Sequence, residues 1–248
     1  MNCLSWDDFE YFTQEVKYST RYIYSDRVKN LLSEIKDSLP NRTISFPECG
    51  VLFRSQLGFV QNNLEDYIEI TGHPADRMKP ISGEATEGRA NSKSIPVLYL
   101  SSDEDTSMAE LRPQVGQVIS CGQFKTNRTL KLVDCCSSKN KYTYLQLIFG
   151  TQNTTKEDLL DVIWFQINEA FSHPVVNEPN NAAYVPTQIL SELFRHSGFD
   201  GLICKSHLGS GKNYILFQPV YADMENCKLM TTKSVTHIFE AFDYKDRR

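Results

Sequence analysis

The sequence holds no Cys-x-x-Cys pair, although it carries seven cysteines: Cys3, Cys49, Cys121, Cys135, Cys136, Cys204 and Cys227. An odd, scattered set of this kind argues against a disulfide frame or a zinc ribbon and suits free thiols in a reducing cytosol. The histidines, His73, His173, His196, His207 and His237, never stand four apart and never join a Cys/His cluster. No metal site is therefore expected. Positive charge is also scarce: 26 Lys and Arg against 31 Asp and Glu give a net charge of -5. The basic tail Lys245-Asp246-Arg247-Arg248 is too short for a cationic patch, so no nucleic-acid partner is expected. No run approaches the ~18 apolar residues of a membrane helix. The opening residues lack the basic start and apolar stretch of a signal peptide. These absences predict a soluble, cytoplasmic protein with no membrane partner.

What is present is ordinary globular composition, 40% hydrophobic and 23% charged over 248 residues. The first forty residues read as two helices. One starts at Ser5 with Asp7 and Asp8 in its opening turn; the other runs from Asp26 to Leu39, with Val28, Leu31, Leu32, Ile35 and Leu39 at helical spacing and Pro40 as its stop. From Gly50 onward, short β-like runs follow: Gly50 to Arg54, Pro96 to Ser101, Gln117 to Phe124, Thr129 to Val133, Phe199 to Lys205 and Asn213 to Phe217. Helices are expected at Ser107 to Arg112, Lys156 to Phe171 (capped by Thr155) and Pro186 to His196. Gln61 to Glu87 and His173 to Val185 read as long loops, and Val235, Ile238 and Phe239 suggest a final strand. Irregular alternation of strands and helices predicts an α+β fold. The expected division is an N-terminal helical segment over 1–45, one domain over 46–220, and an extension packing on it over 221–248.

Two motifs fail on inspection. Gly209-Ser210-Gly211-Lys212 resembles a phosphate loop, but Ser206 stands where its first glycine belongs and Asn213 where its hydroxyl belongs, so a hairpin turn is expected. Ser206 and His207 are neighbours on a strand and point apart, which excludes a nucleophile and its base.

The densest polar stretch combines Gly88-Arg89-Ala90-Asn91, a buried run ending near Tyr99, and Thr106 to Pro113 with Glu110 and Arg112. Singly, each residue suits a bland role: core aromatic, helix surface, loop charge. Together with Leu52-Phe53-Arg54, Pro186-Thr187-Gln188 through Glu192, Gly198 to Ser206 and Asn213 to Phe217, the stretch resembles the RES-domain family, named for an arginine, a glutamate and a serine. The resemblance spans roughly 46–220 and implies an ADP-ribosyltransferase-like split β core with helices around a cleft for NAD⁺. It also implies an NAD⁺-consuming toxin of a bacterial toxin–antitoxin pair, acting as glycohydrolase or phosphorylase, with NAD⁺ as substrate and no further cofactor. A cognate antitoxin is the implied protein partner; the apolar stripe of the N-terminal helices either completes the core or offers a surface for a homodimer or that antitoxin.

On that resemblance Glu110 stabilises the oxocarbenium-like sugar, Arg54 and Arg89 hold the diphosphate, and Tyr99 meets the nicotinamide. Ser206 positions Glu110 or a ribose hydroxyl, and Asn213 joins the NAD⁺-binding set. Carboxylates suit developing positive charge and guanidinium forks suit phosphate oxygens. An aromatic face attracts a pyridinium cation. Arg112 fits the family pattern but could equally serve a structural salt bridge. Two other readings stay open: a mono-ADP-ribosyltransferase acting on a protein or nucleotide, and a non-catalytic binding module.

Overall fold

The computed structural model describes residues 4–64, 67–136, 155–173 and 181–236. Ile238, Phe239, the basic tail and the middle of the loop expected after His173 lie outside the described residues.

The N-terminal pair forms as α1 (Asp8–Tyr18) and α2 (Asp26–Ser38). The first helix begins three residues later than its acidic start suggests, because Ser5 is tied into a turn: its N–H donates to Asp8 at 2.7 Å and its hydroxyl to Asp7 at 2.6 Å. Arg27 of α2 then bonds Asp7 at 2.7 Å and Asp8 at 2.6 Å, which staples the two helices. Ser25 caps α2 through the Val28 N–H, and Pro40 converts its end into a short 3₁₀ turn over Leu39–Arg42.

Among the described residues, eight strands make one sheet. In chain order these are β1 (Thr43–Phe46), β2 (Val51–Leu57), β5 (Leu98–Ser101), β6 (Val118–Thr126), β7 (Leu130–Asp134), β8 (Gly201–Lys205), β9 (Lys212–Leu216) and β10 (Ala222–Thr231). The spatial order is β1-β7-β8-β9-β5-β2-β6-β10, antiparallel except for β7 and β8. At the centre, β2 and β5 share a single register position, Phe53 opposite Ser101, before they part. The expected α+β architecture with a split β core is therefore present. Three further helices among the described residues are α3 (Glu104–Ala109), α4 (Lys156–Ser172) and α5 (Val185–His196). A capping box between Thr155 and Asp158 starts α4.

One face of the sheet meets the helices. Phe12 and Val16 of α1, Leu31 and Ile35 of α2, Trp164 and Ile167 of α4 and Phe194 of α5 join Leu202, Ile215 and Phe217 in one buried cluster. Trp164 stacks on Phe194 and donates its indole N–H to Ser38 Oγ at 3.0 Å. The N-terminal helices thus share a core with the strands that follow. Their apolar stripes are hidden inside the fold.

Two expectations need correction, and one strand was not foreseen. The loop expected over Gln61 to Glu87 contains a hairpin of β3 (Val60–Asn63) and β4 (Ile68–Thr71), which stands off the main sheet with most side chains exposed. Its Asn-rich composition hid it. A strand that was not expected, β10, borders β6 as an edge strand rich in charged and polar residues, so it carries little apolar signal; Ile238 and Phe239 of the final strand expected further on lie outside the described residues. The helix expected at Ser107 to Arg112 begins at Glu104, because the Asp103 carboxylate caps it through the Thr106 N–H at 2.7 Å.

Gly201 lies on β8 between β7 and β9, and a Cβ there would collide with the Ile215 carbonyl oxygen and press on Leu132. A ladder of paired backbones cannot yield as a flexible side chain can. Gly201→Ala is expected to cost about 1–3 kcal/mol by overpacking, read as a lower urea midpoint with an unchanged m-value.

Candidate active site

The opening between β2 and β5 widens into a cleft of about 390 Å³ on the helix-covered side of the sheet. Its walls carry Arg54, Arg89, Tyr99, Glu110 and Asn213. Five of the six residues expected at the site therefore line one cleft, and Ser206 reaches it through Glu110.

Glu110 follows the last residue of α3, at its C-terminal cap. Its Oε1 accepts the Ser206 hydroxyl at 2.7 Å and the Asn213 amide at 2.6 Å. The Ser206 oxygen accepts in turn from the Leu208 and Gly209 N–H groups, at 3.2 and 2.9 Å. With its lone pairs so engaged, the hydroxyl has its proton free to give to Glu110. Asn213 is oriented the same way: Ser101 Oγ donates to Asn213 Oδ1 at 2.9 Å, which leaves the Asn213 NH₂ facing the carboxylate. Both donors converge on Oε1, and Oε2 has no partner among the described residues. The arrangement fixes a carboxylate and keeps one of its oxygens available.

The β8–β9 hairpin brings Ser206 to this position, and its turn supplies the glycines of the failed phosphate loop. A Cβ on Gly209 would come within 2.7 Å of Thr106 Oγ1, and one on Gly211 would strike Asp103 and Ser102. The turn lies directly on the start of α3, with the Gly211 N–H donating to Thr106 Oγ1 at 3.0 Å and the Lys212 N–H to Ser102 Oγ at 2.9 Å. These glycines permit close packing between the two segments that carry Ser206 and Glu110.

Arg54 has no carboxylate partner among the described residues. Its Nη1 donates to the Tyr99 carbonyl at 3.0 Å, and its buried Nε has no hydrogen-bond partner among the described residues. Burial lowers its pKa from the ordinary arginine value. Arg89 donates to the carbonyl of Phe171, in the last turn of α4. One donor of each guanidinium serves the backbone. The rest remain for an anion in the cleft.

Tyr99 is placed differently from the expectation in one respect. Its hydroxyl accepts the Ala90 N–H at 2.9 Å and donates to Asn91 Oδ1 at 2.8 Å, so it is committed to the loop that carries Arg89. The ring lines the cleft, but the hydroxyl is not free for a ligand. Tyr184, in the 3₁₀ turn Asn181–Tyr184 before α5, also lines the cleft and was not singled out in the sequence, where nothing in its Asn-Ala-Ala-Tyr setting marks it. Ser101, the residue that orients Asn213, was missed for the same reason. The exposed Arg112 adopts a left-handed conformation, with φ of 49°, as the chain turns after α3. Among the described residues, no group of three or more His, Cys, Asp or Glu side chains could hold a metal ion, and no helix is long and apolar enough to cross a membrane.

The family model described as "RES domain" matches residues 68–232, a span that includes Arg89, Tyr99, Glu110, Ser206 and Asn213 and leaves Arg54 outside. No curated protein matches the chain. Among solved structures, a chain of the M. tuberculosis MbcT–MbcA toxin–antitoxin complex is similar at 13% identity and a TM-score of 0.43, covering 80% of this chain and 92% of that one.

Burial pushes the Tyr99 phenol from an ordinary value of 10 up to about 12, partly offset by the Ala90 hydrogen bond and the charge of Arg89. A neutral acid whose folded pKa is raised contributes stability that is complete below pH ~10 and lost as pH climbs toward ~12. Tyr99→Phe is expected to flatten the fall of unfolding free energy over that interval, in urea titrations at stepped pH. Part of the fall will persist, because burial also raises the thiols of Cys135 and Cys204 and partial burial that of Cys136.

Proposed function

This chain belongs to the RES-domain family, and from that premise we propose that it breaks the bond between nicotinamide and ribose in NAD⁺, as a glycohydrolase or phosphorylase. The observation that carries this reading is the Glu110 carboxylate, held through one oxygen by Ser206 and Asn213 in a cleft that also receives Arg54 and Arg89.

The chemistry suits these groups. When the C1′–N bond breaks, its electron pair passes to the pyridinium nitrogen, so nicotinamide leaves neutral and no general acid is needed. The sugar left behind is oxocarbenium-like, as in glycoside hydrolysis. Glu110 would stabilise that charge, and its fixed geometry means that little reorganisation is required as the charge develops. Arg54 and Arg89 would hold the diphosphate, which bears two negative charges. The Tyr99 ring would lie against nicotinamide while its hydroxyl keeps the Arg89 loop in place. An acceptor then attacks C1′ and loses a proton to solvent: water yields ADP-ribose, and inorganic phosphate yields a phosphorylated ADP-ribose. No resident cofactor enters these steps.

A protein that spends NAD⁺ in this way would act as a toxin and would need restraint. We place it in that role, in the cytoplasm, with a cognate antitoxin covering the cleft as its partner.

The test is nicotinamide release from NAD⁺, with and without inorganic phosphate. Turnover that requires phosphate identifies phosphorolysis; turnover indifferent to it identifies hydrolysis. Glu110→Gln is expected to lower the rate by about 10²-fold or more while NAD⁺ still binds. Unimpaired turnover in Glu110→Gln would remove that residue from the mechanism. Label transferred to a protein, with little free ADP-ribose, would favour the transferase reading; NAD⁺ left intact by the folded protein would favour a binding module.

A further inference from the structure

Arg89 sits in a turn that closes on itself. The Gly88 N–H donates to the Asn91 carbonyl at 3.0 Å, and the Asn91 N–H returns to the Gly88 carbonyl at 3.3 Å. Tyr99 grips this turn through Ala90 and Asn91. The opposite grip comes from far along the chain. Gln188, on the first turn of α5, places its Nε2 at 2.9 Å from the Gly88 carbonyl, 3.0 Å from the Asn91 carbonyl and 3.0 Å from Glu87 Oε1. One amide nitrogen therefore meets the carbonyls on both flanks of Arg89.

The identity of that atom is settled by its neighbours. Three oxygens surround it, so it must be the NH₂ group; the flipped amide would set oxygen against oxygen three times. The Ser92 hydroxyl approaches the other end, Oε1, at 3.5 Å. Gln188 is 6% exposed and shares the buried face of α5 with Val185, Leu190 and Phe194. A carboxamide on such a face is costly unless its hydrogen bonds are made. Helix packing alone would be served by leucine or methionine. What the carboxamide adds is the position of the turn.

The turn has no slack to absorb an error in that position. A Cβ on Gly88 would lie 2.7 Å from both Tyr99 Oη and Asn91 Oδ1, so its backbone is pressed against the tyrosine. At its far end Arg89 is tied to the Phe171 carbonyl. Gln188 does not line the cleft; its amide bonds go to the turn that carries Arg89.

We propose that Gln188 is the positioning residue for Arg89, setting the guanidinium's register toward the substrate's diphosphate and so governing affinity for the nucleotide more than the rate of bond cleavage. The proposal rests on the reading that Arg89 holds that diphosphate. A bidentate guanidinium contact is sensitive to small displacements, so a shifted turn forfeits binding while the Glu110 anchor, on other elements, stays intact.

The full-length chain tests this with Gln188→Met, which keeps length and volume without the donor, and Gln188→Glu, which turns the donor into an acceptor. The expected result is a KM for NAD⁺ raised about tenfold with kcat within about twofold. In an Arg89→Gln background the Gln188→Met change should add little, because both act through one contact. Inhibition by free nicotinamide, which has no phosphate, should be unchanged. Multiplicative effects in the Arg89→Gln background, a fall in kcat at constant KM, or equally weakened nicotinamide inhibition would overturn the proposal, since a general structural role predicts those. Circular dichroism identifies any variant that fails to fold, and the remaining one carries the test. Calorimetric binding of ADP-ribose separates the two readings. If the wild type binds ADP-ribose but releases no nicotinamide, the activity reading falls, and equal affinity in Gln188→Met would then overturn this one. If the wild type releases nicotinamide and Gln188→Met leaves both the KM for NAD⁺ and the affinity for ADP-ribose unchanged, this proposal alone falls.

Discussion

The strands β2 and β5 share one register position and then separate, and the candidate site depends on that parting. A sheet that opens leaves backbone groups without ladder partners, and such groups are costly to bury unsatisfied. Here the Tyr99 carbonyl is met by the Arg54 guanidinium in place of a strand amide. By strand alternation Arg54 shares a face with Leu52, and the gap lets its long side chain reach the cleft. One side chain thus closes a fault in the sheet and brings a cation without a carboxylate partner, among the described residues, to the same place.

The carboxylate end of the cleft is built by a different constraint. Ser206 and Glu110 are far apart in sequence, and they meet because a glycine turn presses on the capped start of α3. Asp103 holds the Thr106 N–H, the Thr106 hydroxyl and the Ser102 hydroxyl, while Thr106 and Ser102 receive the turn's amides. The same contacts explain a motif that looked like a phosphate loop. Its glycines are required by close packing, and the segment's function lies in where it delivers the serine.

Arg89 and Glu110 are held independently. The arginine depends on Tyr99, Asn91 and α4; the carboxylate depends on Ser206, Asn213 and Ser101. On the proposed function, separate supports would let binding of an anionic nucleotide and stabilisation of a developing cation be altered one at a time. The hydroxyl of Tyr99 belongs to the first support, which narrows its contact with a ligand to the ring.

Much of this was legible in the sequence, and for local reasons. Apolar spacing at Val28, Leu31 and Ile35 marked α2, Thr155 and Asp158 marked the start of α4, and Gly198 the end of α5, since periodicity and capping are properties of neighbouring residues. The blocks around Arg89, Tyr99, Glu110 and Ser206 carried the family resemblance. The strands β3, β4 and β10 were hidden, because exposed or edge strands need no apolar alternation. Which residues would meet across the fold was not legible. That Ser206 and Asn213 share one oxygen of Glu110, that Tyr99 gives its hydroxyl to Asn91, and that Gln188 clamps the turn from α5 are contacts between residues eight to 103 positions apart. Sequence by itself determined the helices, most of the strands and the kinds of side chain available; only the tertiary structure decided the partners, because contacts between residues so distant in the chain are set by how the sheet splits and the helices pack.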